Sequence, residues 1–174
     1  MKYFTRAWTR GDSDEATASA SRRYLRRLRS IWCRLPRSVQ KLARKISIHD
    51  GRPRGGFHDS ATGILELRLI GGDLQEGYFD LVLRYHAAEV LSPGGHTLFD
   101  LMNDTDTEFH YDEVDLRRDS RLEHRILFFP RGEVSIRFRR LDLVRSPLRL
   151  PKNWRRSPRF VARPRFRRSE RRTS

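Results

Sequence analysis

Two His-Asp steps stand nine residues apart in this chain, His49-Asp50 and His58-Asp59. Imidazole and carboxylate together suit a borderline divalent ion, and Glu66 and Glu89 further along could complete a ligand set. The alternative is conformational. Both steps lie in or beside a glycine-rich stretch, Gly51 to Gly56, where an aspartate commonly closes a turn by accepting from backbone just ahead of it. Adjacent His and Asp carry little specificity alone. The metal candidates are therefore His49, Asp50, His58 and Asp59, no catalytic residue is assigned, and no cofactor is expected.

The remaining histidines, His86, His96, His110 and His124, are scattered. His124 shares parity with Leu122, Ile126 and Phe128, which predicts a position in the core. A general base also needs a reacting partner within hydrogen-bond reach, and spacing supplies none. Cys33 is the only cysteine, so no internal disulfide can form, and beside Trp32 it reads as a small apolar side chain. The acidic run Asp100, Asp104, Asp106, Glu108, Asp112, Glu113, Asp115 lacks the central glycine and ligand spacing of a calcium loop. It reads as a solvated acidic edge, or as a partner for basic residues of the same molecule.

Those basic residues are concentrated. The net charge is +15, yet residues 46–150 carry a net −4. Residues 22–45 hold ten Lys and Arg and no Asp or Glu, and residues 151–174 hold a net +9. Lys2, Lys41, Lys45 and Lys152 are the only lysines. Arginine favours bidentate contacts to phosphate and carboxylate. A GC-rich genome enriches arginine as well, without any binding role. In the tail, Arg155, Arg156, Arg159, Arg163, Arg165, Arg167 and Arg168 alternate with Trp154, Phe160 and Phe166. Arginines could pair phosphates there and aromatics stack on bases, which makes these the candidate nucleic-acid-binding residues.

These groups need elements to position them. Residues 1–21 read as a short N-terminal strand followed by a flexible linker, Gly11 to Ser21. Tyr24, Leu25, Leu28, Ile31, Trp32 and Leu35 form one stripe of a helix that Pro36 ends. A second helix is predicted over residues 37–45, with Val39, Leu42, Ala43 and Ile46 inward. The first helix could also lie on an anionic membrane surface, its stripe inserted. Beyond Ile46 the period changes from 3.6 to 2. Residues 51–56 read as a loop. Alternating runs at 64–70, 78–86, 109–116, 122–129 and 133–141 predict strands, the last two joined by a Pro130-Arg131-Gly132 hairpin turn. Residues 98–106 could hold a helical turn. The expected fold is α+β: two N-terminal helices on one meandering antiparallel sheet of about five strands, a single domain over residues 1–150. The tail, residues 151–174, has no periodicity and is predicted to be disordered. No apolar run approaches the roughly 18–20 residues of a membrane span, and no signal-peptide core follows Met1, so a cytoplasmic protein is expected.

Several stretches resemble an uncharacterised bacterial family, a domain of unknown function whose members open with Met-Lys-Tyr-Phe-Thr. They are Met1-Lys2-Tyr3-Phe4-Thr5, the helical segment ending in Leu35-Pro36, Ile48-His49-Asp50, Phe79 to Tyr85, and Glu123 to Phe128. The resemblance covers about residues 1–145. In that family the third motif reads Leu-His-Asp-Ala, whereas Ile48 and Gly51 stand here for the Leu and the Ala. The resemblance implies a bacterial cytoplasmic α+β protein and supplies no activity.

Three functions are compatible with these features. The first is a non-enzymatic protein-interaction module, whose partner meets the sheet or its acidic edge. The second is a nucleic-acid-associated protein using the basic helix and the tail. The third is a metal-dependent hydrolase around His49 and Asp50.

Overall fold

A computed structural model of the chain describes residues 1–9, 14–73, 77–148 and 159–163. The fold is α+β. Its helices are α1 (Arg6–Thr9), α2 (Asp14–Ile31), α3 (Arg37–Lys45) and α4 (Leu98–Asn103). Its strands are β1 (Arg52–Asp59), β2 (Ile64–Asp73), β3 (Gly77–His86), β4 (Glu89–Leu91), β5 (Glu108–Leu116), β6 (Leu122–Phe129), β7 (Glu133–Phe138), β8 (Arg140–Pro147) and β9 (Arg159–Arg163).

Among the described residues the strands make two sheets, where the alternation pattern predicts one. The first has the order β8-β3-β2-β1-β9 and the second β4-β7-β6-β5. All neighbours are antiparallel except β1 and β9, which are parallel. The split has a local cause. Strand β3 pairs with β8, and after two residues its continuation β4 pairs with β7. Only Arg139 separates β7 from β8. This strand pair therefore bends from one sheet into the other, as at the corners of orthogonal sandwiches. Ala87 takes the left-handed backbone at the bend (φ 52), and the Arg139 amide donates to the His86 carbonyl at 3.0 Å.

One cluster of buried side chains joins both sheets and the helices. It takes Leu65, Leu67 and Leu69 from β2, Leu81, Leu83 and Tyr85 from β3, and Ile126, Phe128, Val134 and Ile136 from the second sheet. Alternate residues point outward, which is why the two-residue period was readable.

The helices lie across sheet edges. Strand β5 is an edge of the second sheet, and there the Val114 amide donates to the Tyr24 hydroxyl of α2 at 2.9 Å. The stripe is buried at Tyr24, Leu28, Ile31 and Leu35, and α3 buries Val39 and Leu42. Leu35 is extended (φ −82, ψ 134) ahead of Pro36, as the proline requires. Two N-terminal expectations are corrected. Residues 14–21, read as linker, are the first turns of α2, because Ala16, Ala18 and Ala20 are strong helix formers and Ala20 is buried. The expected N-terminal strand is absent from residues 1–9. The amides of Lys2, Tyr3 and Phe4 all donate to the Glu113 carboxylate at 2.5–3.1 Å, and one helical turn follows.

Two loop or tail expectations are also corrected. The glycine-rich stretch after Asp50 is strand β1, carrying an irregularity between Pro53 and Gly55. Within the tail expected to be disordered, Arg159–Arg163 form β9 along the outer edge of β1. A bare edge presents unpaired amides and carbonyls, and a Phe-Val pair suits an extended segment there. The rest of the tail reading lies outside the described residues.

Candidate functional site

Burying one stripe of α2 dictates what the opposite face presents. Arg22, Arg26 and Arg29 form an i, i+4, i+7 row facing away from the sheet, and all three are exposed, as is Arg23. Arg34, and Arg37, Lys41, Arg44 and Lys45 of α3, are exposed as well. Arg44 lies over the Trp32 ring at 5.3 Å. Residues 22–45 contain no carboxylate, and among the described residues none of these nine cations is in an ion pair. Along the α2 row the arginines recur about once per 5 Å of helix axis, which gives the face a dense line of positive charge.

The acidic run behaves differently. Glu113 and Asp115 are buried. Asp115 accepts from Arg27 Nε at 2.8 Å and lies 3.5 Å from Arg125, while Glu113 holds the N-terminal amides. Glu108 pairs with Arg52 at 2.7 Å, and Asp104 lies 3.5 Å from Arg131. Asp100 closes a capping box with Thr97 at the start of α4. The acidic edge is thus largely engaged within the molecule, and part of it meets the basic helix.

His49 and Asp50 sit in the turn between α3 and β1. Asp50 takes the left-handed backbone (φ 57), and its Oδ1 lies 3.0 Å from His49 Nδ1. The following residue pins the turn to the second sheet: the Phe109 amide donates to the Gly51 carbonyl at 2.7 Å. Strand β5 bulges between Phe109 and Tyr111. Phe109 stays in the core, and His110, the extra residue, comes beside the turn. The His49 and His110 rings are 5.4 Å apart at 76°, and Tyr111 lies against both at 4.9 and 4.5 Å. The ligand atoms of His49, Asp50 and His110 all fall within 4.8 Å of one another. Burial, and then the charge of His49, push the His110 pKa below its ordinary value.

His58 and Asp59 do not join this group. His58 pairs in register with Leu65, on the inner face of the first sheet, and its Nε2 is buried with no partner among the described residues. Burial lowers its pKa, opposed by the Asp59 charge. Asp59 accepts from the amides of Ala61 and Thr62 at 2.9 and 3.3 Å, the turn-closing role of a strand-end aspartate. Glu66 lies between Arg68 and Arg84, and Glu89 binds Arg121, so neither supplies a ligand to His49. His124 is in the core, with Nδ1 2.7 Å from the Tyr85 hydroxyl and Nε2 3.0 Å from Asp112. His110 is the residue that spacing missed. It lies 60 positions from Asp50, and only the Gly51–Phe109 bridge brings them together.

Of the tail candidates, Arg159 and Arg163 end strand β9, and Arg155, Arg156, Arg165, Arg167 and Arg168 lie outside the described residues. Among the described residues no helix is long and apolar enough to cross a membrane. No family model, curated protein or solved structure matches the chain, so the family resemblance rests on its residues alone.

Proposed function

We propose that the outer face of α2 and α3 binds the phosphate backbone of a nucleic acid without reading its sequence. The observation that supports this is the set of nine exposed cations on α2, α3 and the turn between them, in a segment with no carboxylate to neutralise them. Phosphate attraction of this kind needs charge density and little else. The competing membrane-surface reading loses its apolar half, because the stripe that would insert is packed on β5, and Leu25 is the one large apolar side chain of α2 left exposed. The test is binding to single- and double-stranded nucleic acid across a salt series. Replacing Arg22, Arg26 and Arg29 with Gln should flatten the salt dependence by about one unit of slope per arginine.

A protein-interaction module remains the second reading, and β9 favours it. Segment 159–163 adds itself to β1 from more than ninety residues away, in the manner of a strand-adding ligand. Replacing Val161 and Ala162 with Pro should free that edge. A labelled peptide of residues 157–165 should then bind the variant more tightly than the parent protein, and equal binding counts against the reading.

A further inference from the structure

We propose that His49, Asp50 and His110 bind one first-row divalent cation of the zinc type. This goes beyond the phosphate-binding reading and shares no residue with it. The donor set selects the ion: two imidazoles and one carboxylate suit zinc and its neighbours, whereas calcium and magnesium take oxygen shells. Zinc bonds of about 2.0–2.1 Å in a tetrahedron separate neighbouring ligand atoms by about 3.3 Å. His49 Nδ1 and Asp50 Oδ1 stand 3.0 Å apart. With all three ligand atoms within 4.8 Å, His110 has to approach by no more than about 1.5 Å, a distance that rotation of the exposed His49 ring and the His110 ring can cover.

The frame around these ligands is fixed. The Gly51–Phe109 bridge ties the two contributing segments together. A Cβ on Gly51 would meet the carbonyl oxygens of Ile48 at 2.7 Å and Ile70 at 2.9 Å, so the turn is packed hard against backbone. The bulge at His110 supplies the aim, as bulges near functional sites commonly do. The His110 ring nitrogens have no hydrogen-bond partner among the described residues, so they are free to coordinate. The other His–carboxylate pairs, His86–Asp142 and His124–Asp112, bring one imidazole each. Among the described residues, this is the one group in which three such donors converge. Three protein ligands leave the fourth position of a tetrahedral ion to water, which the exposed turn admits.

The experiment uses the full chain. Bound zinc is counted after equilibrium dialysis and titrated by calorimetry, and cobalt(II) then serves as the spectroscopic probe. One zinc per chain is expected, together with visible cobalt bands of tetrahedral intensity. The thiolate charge-transfer band that Cys33 would add should be missing. His49→Gln and His110→Gln should each weaken zinc by more than roughly 10-fold, while His58→Gln and Cys33→Ser leave it unchanged. His49 is exposed, so its variant reads the site even where His110→Gln disturbs the bulge. Absence of zinc on the parent protein in excess metal overturns the proposal. Undiminished binding by His49→Gln also overturns it.

Discussion

Arg27 donates from Nε to Asp115 Oδ1 at 2.8 Å and from Nη2 to the Leu116 carbonyl at 2.8 Å. This contact sorts the charge of α2 into two populations. Arg27 turns inward and clamps the helix to β5, while Arg22, Arg26 and Arg29 face away from both sheets. Asp115, the carboxylate that meets the helix, is engaged at its inner flank, and the outer flank is left cationic.

Removing that clamp should cost stability without touching the exposed row. Arg27→Ala is expected to lower unfolding free energy by roughly 1–3 kcal/mol, the worth of charge-assisted bonds to a buried carboxylate. Urea denaturation measures it. An unchanged midpoint would mean that Arg125, Lys2 and the Leu116 amide satisfy Asp115 without Arg27.

Glu113 is a second anchor. It is fully buried, gathers three consecutive amides and lies 3.3 Å from Arg125 Nη1. Glu113→Ala should cost about 1–3 kcal/mol, because it removes the acceptor of three backbone donors, while Arg125 keeps Glu123 and Asp115. Hydrogen exchange at Lys2, Tyr3 and Phe4 should accelerate with it. Equal protection in both proteins would show that Glu113 does not anchor the N-terminal segment.

The partners of His124 fix its tautomer. The Asp112 carboxylate accepts from His124 Nε2–H, which leaves Nδ1 to accept from the Tyr85 O–H, and burial, by raising the Tyr85 pKa, keeps that proton on the oxygen. Tyr85→Phe leaves Nδ1 without a donor at nearly constant volume, and should cost about 1–3 kcal/mol. Nitrogen NMR of the imidazole reports the tautomer directly, and a proton on Nδ1 would reverse the assignment.

Acid should weaken the first sheet through Glu66. Burial pushes this carboxyl up, but the hydrogen bonds and charges of Arg84 and Arg68 outweigh that and hold its pKa below the ordinary 4.5. A depressed folded-state pKa stabilises above the unfolded value, and the gain is lost as pH falls through the folded one. Stability should therefore be level above about pH 5 and fall as the medium becomes more acid. Denaturation curves of Glu66→Gln should show a shallower acid decline, and a decline as steep as the parent's would place the effect elsewhere.

Much of this architecture was legible, and the failures have physical causes. The 3.6-residue stripe that placed Val39 and Leu42 inward in α3, and the alternation around Leu65, Leu83 and Ile136, follow from burying one face of each element. The division into two sheets was hidden because it hangs on single residues, Ala87 and Arg139, that interrupt no pattern. Strand β1 was read as a loop since Pro53, Gly55 and Gly56 are strand-poor residues, and pairing with β2 outweighs their propensity. Of the candidate site, His49 and Asp50 were found by residue type. His110 was missed because a tertiary bridge and a bulge, neither visible in spacing, put it there.

The central claim is that the α2–α3 face attracts phosphate. The most direct measurement is the salt dependence of nucleic-acid affinity for the full chain and for its Arg22→Gln, Arg26→Gln, Arg29→Gln triple variant. The account predicts measurable binding near physiological salt and a log–log slope shallower by about 3 in the variant, with circular dichroism unchanged. Identical affinities and slopes for the two proteins would contradict it and move the binding charge away from these helices.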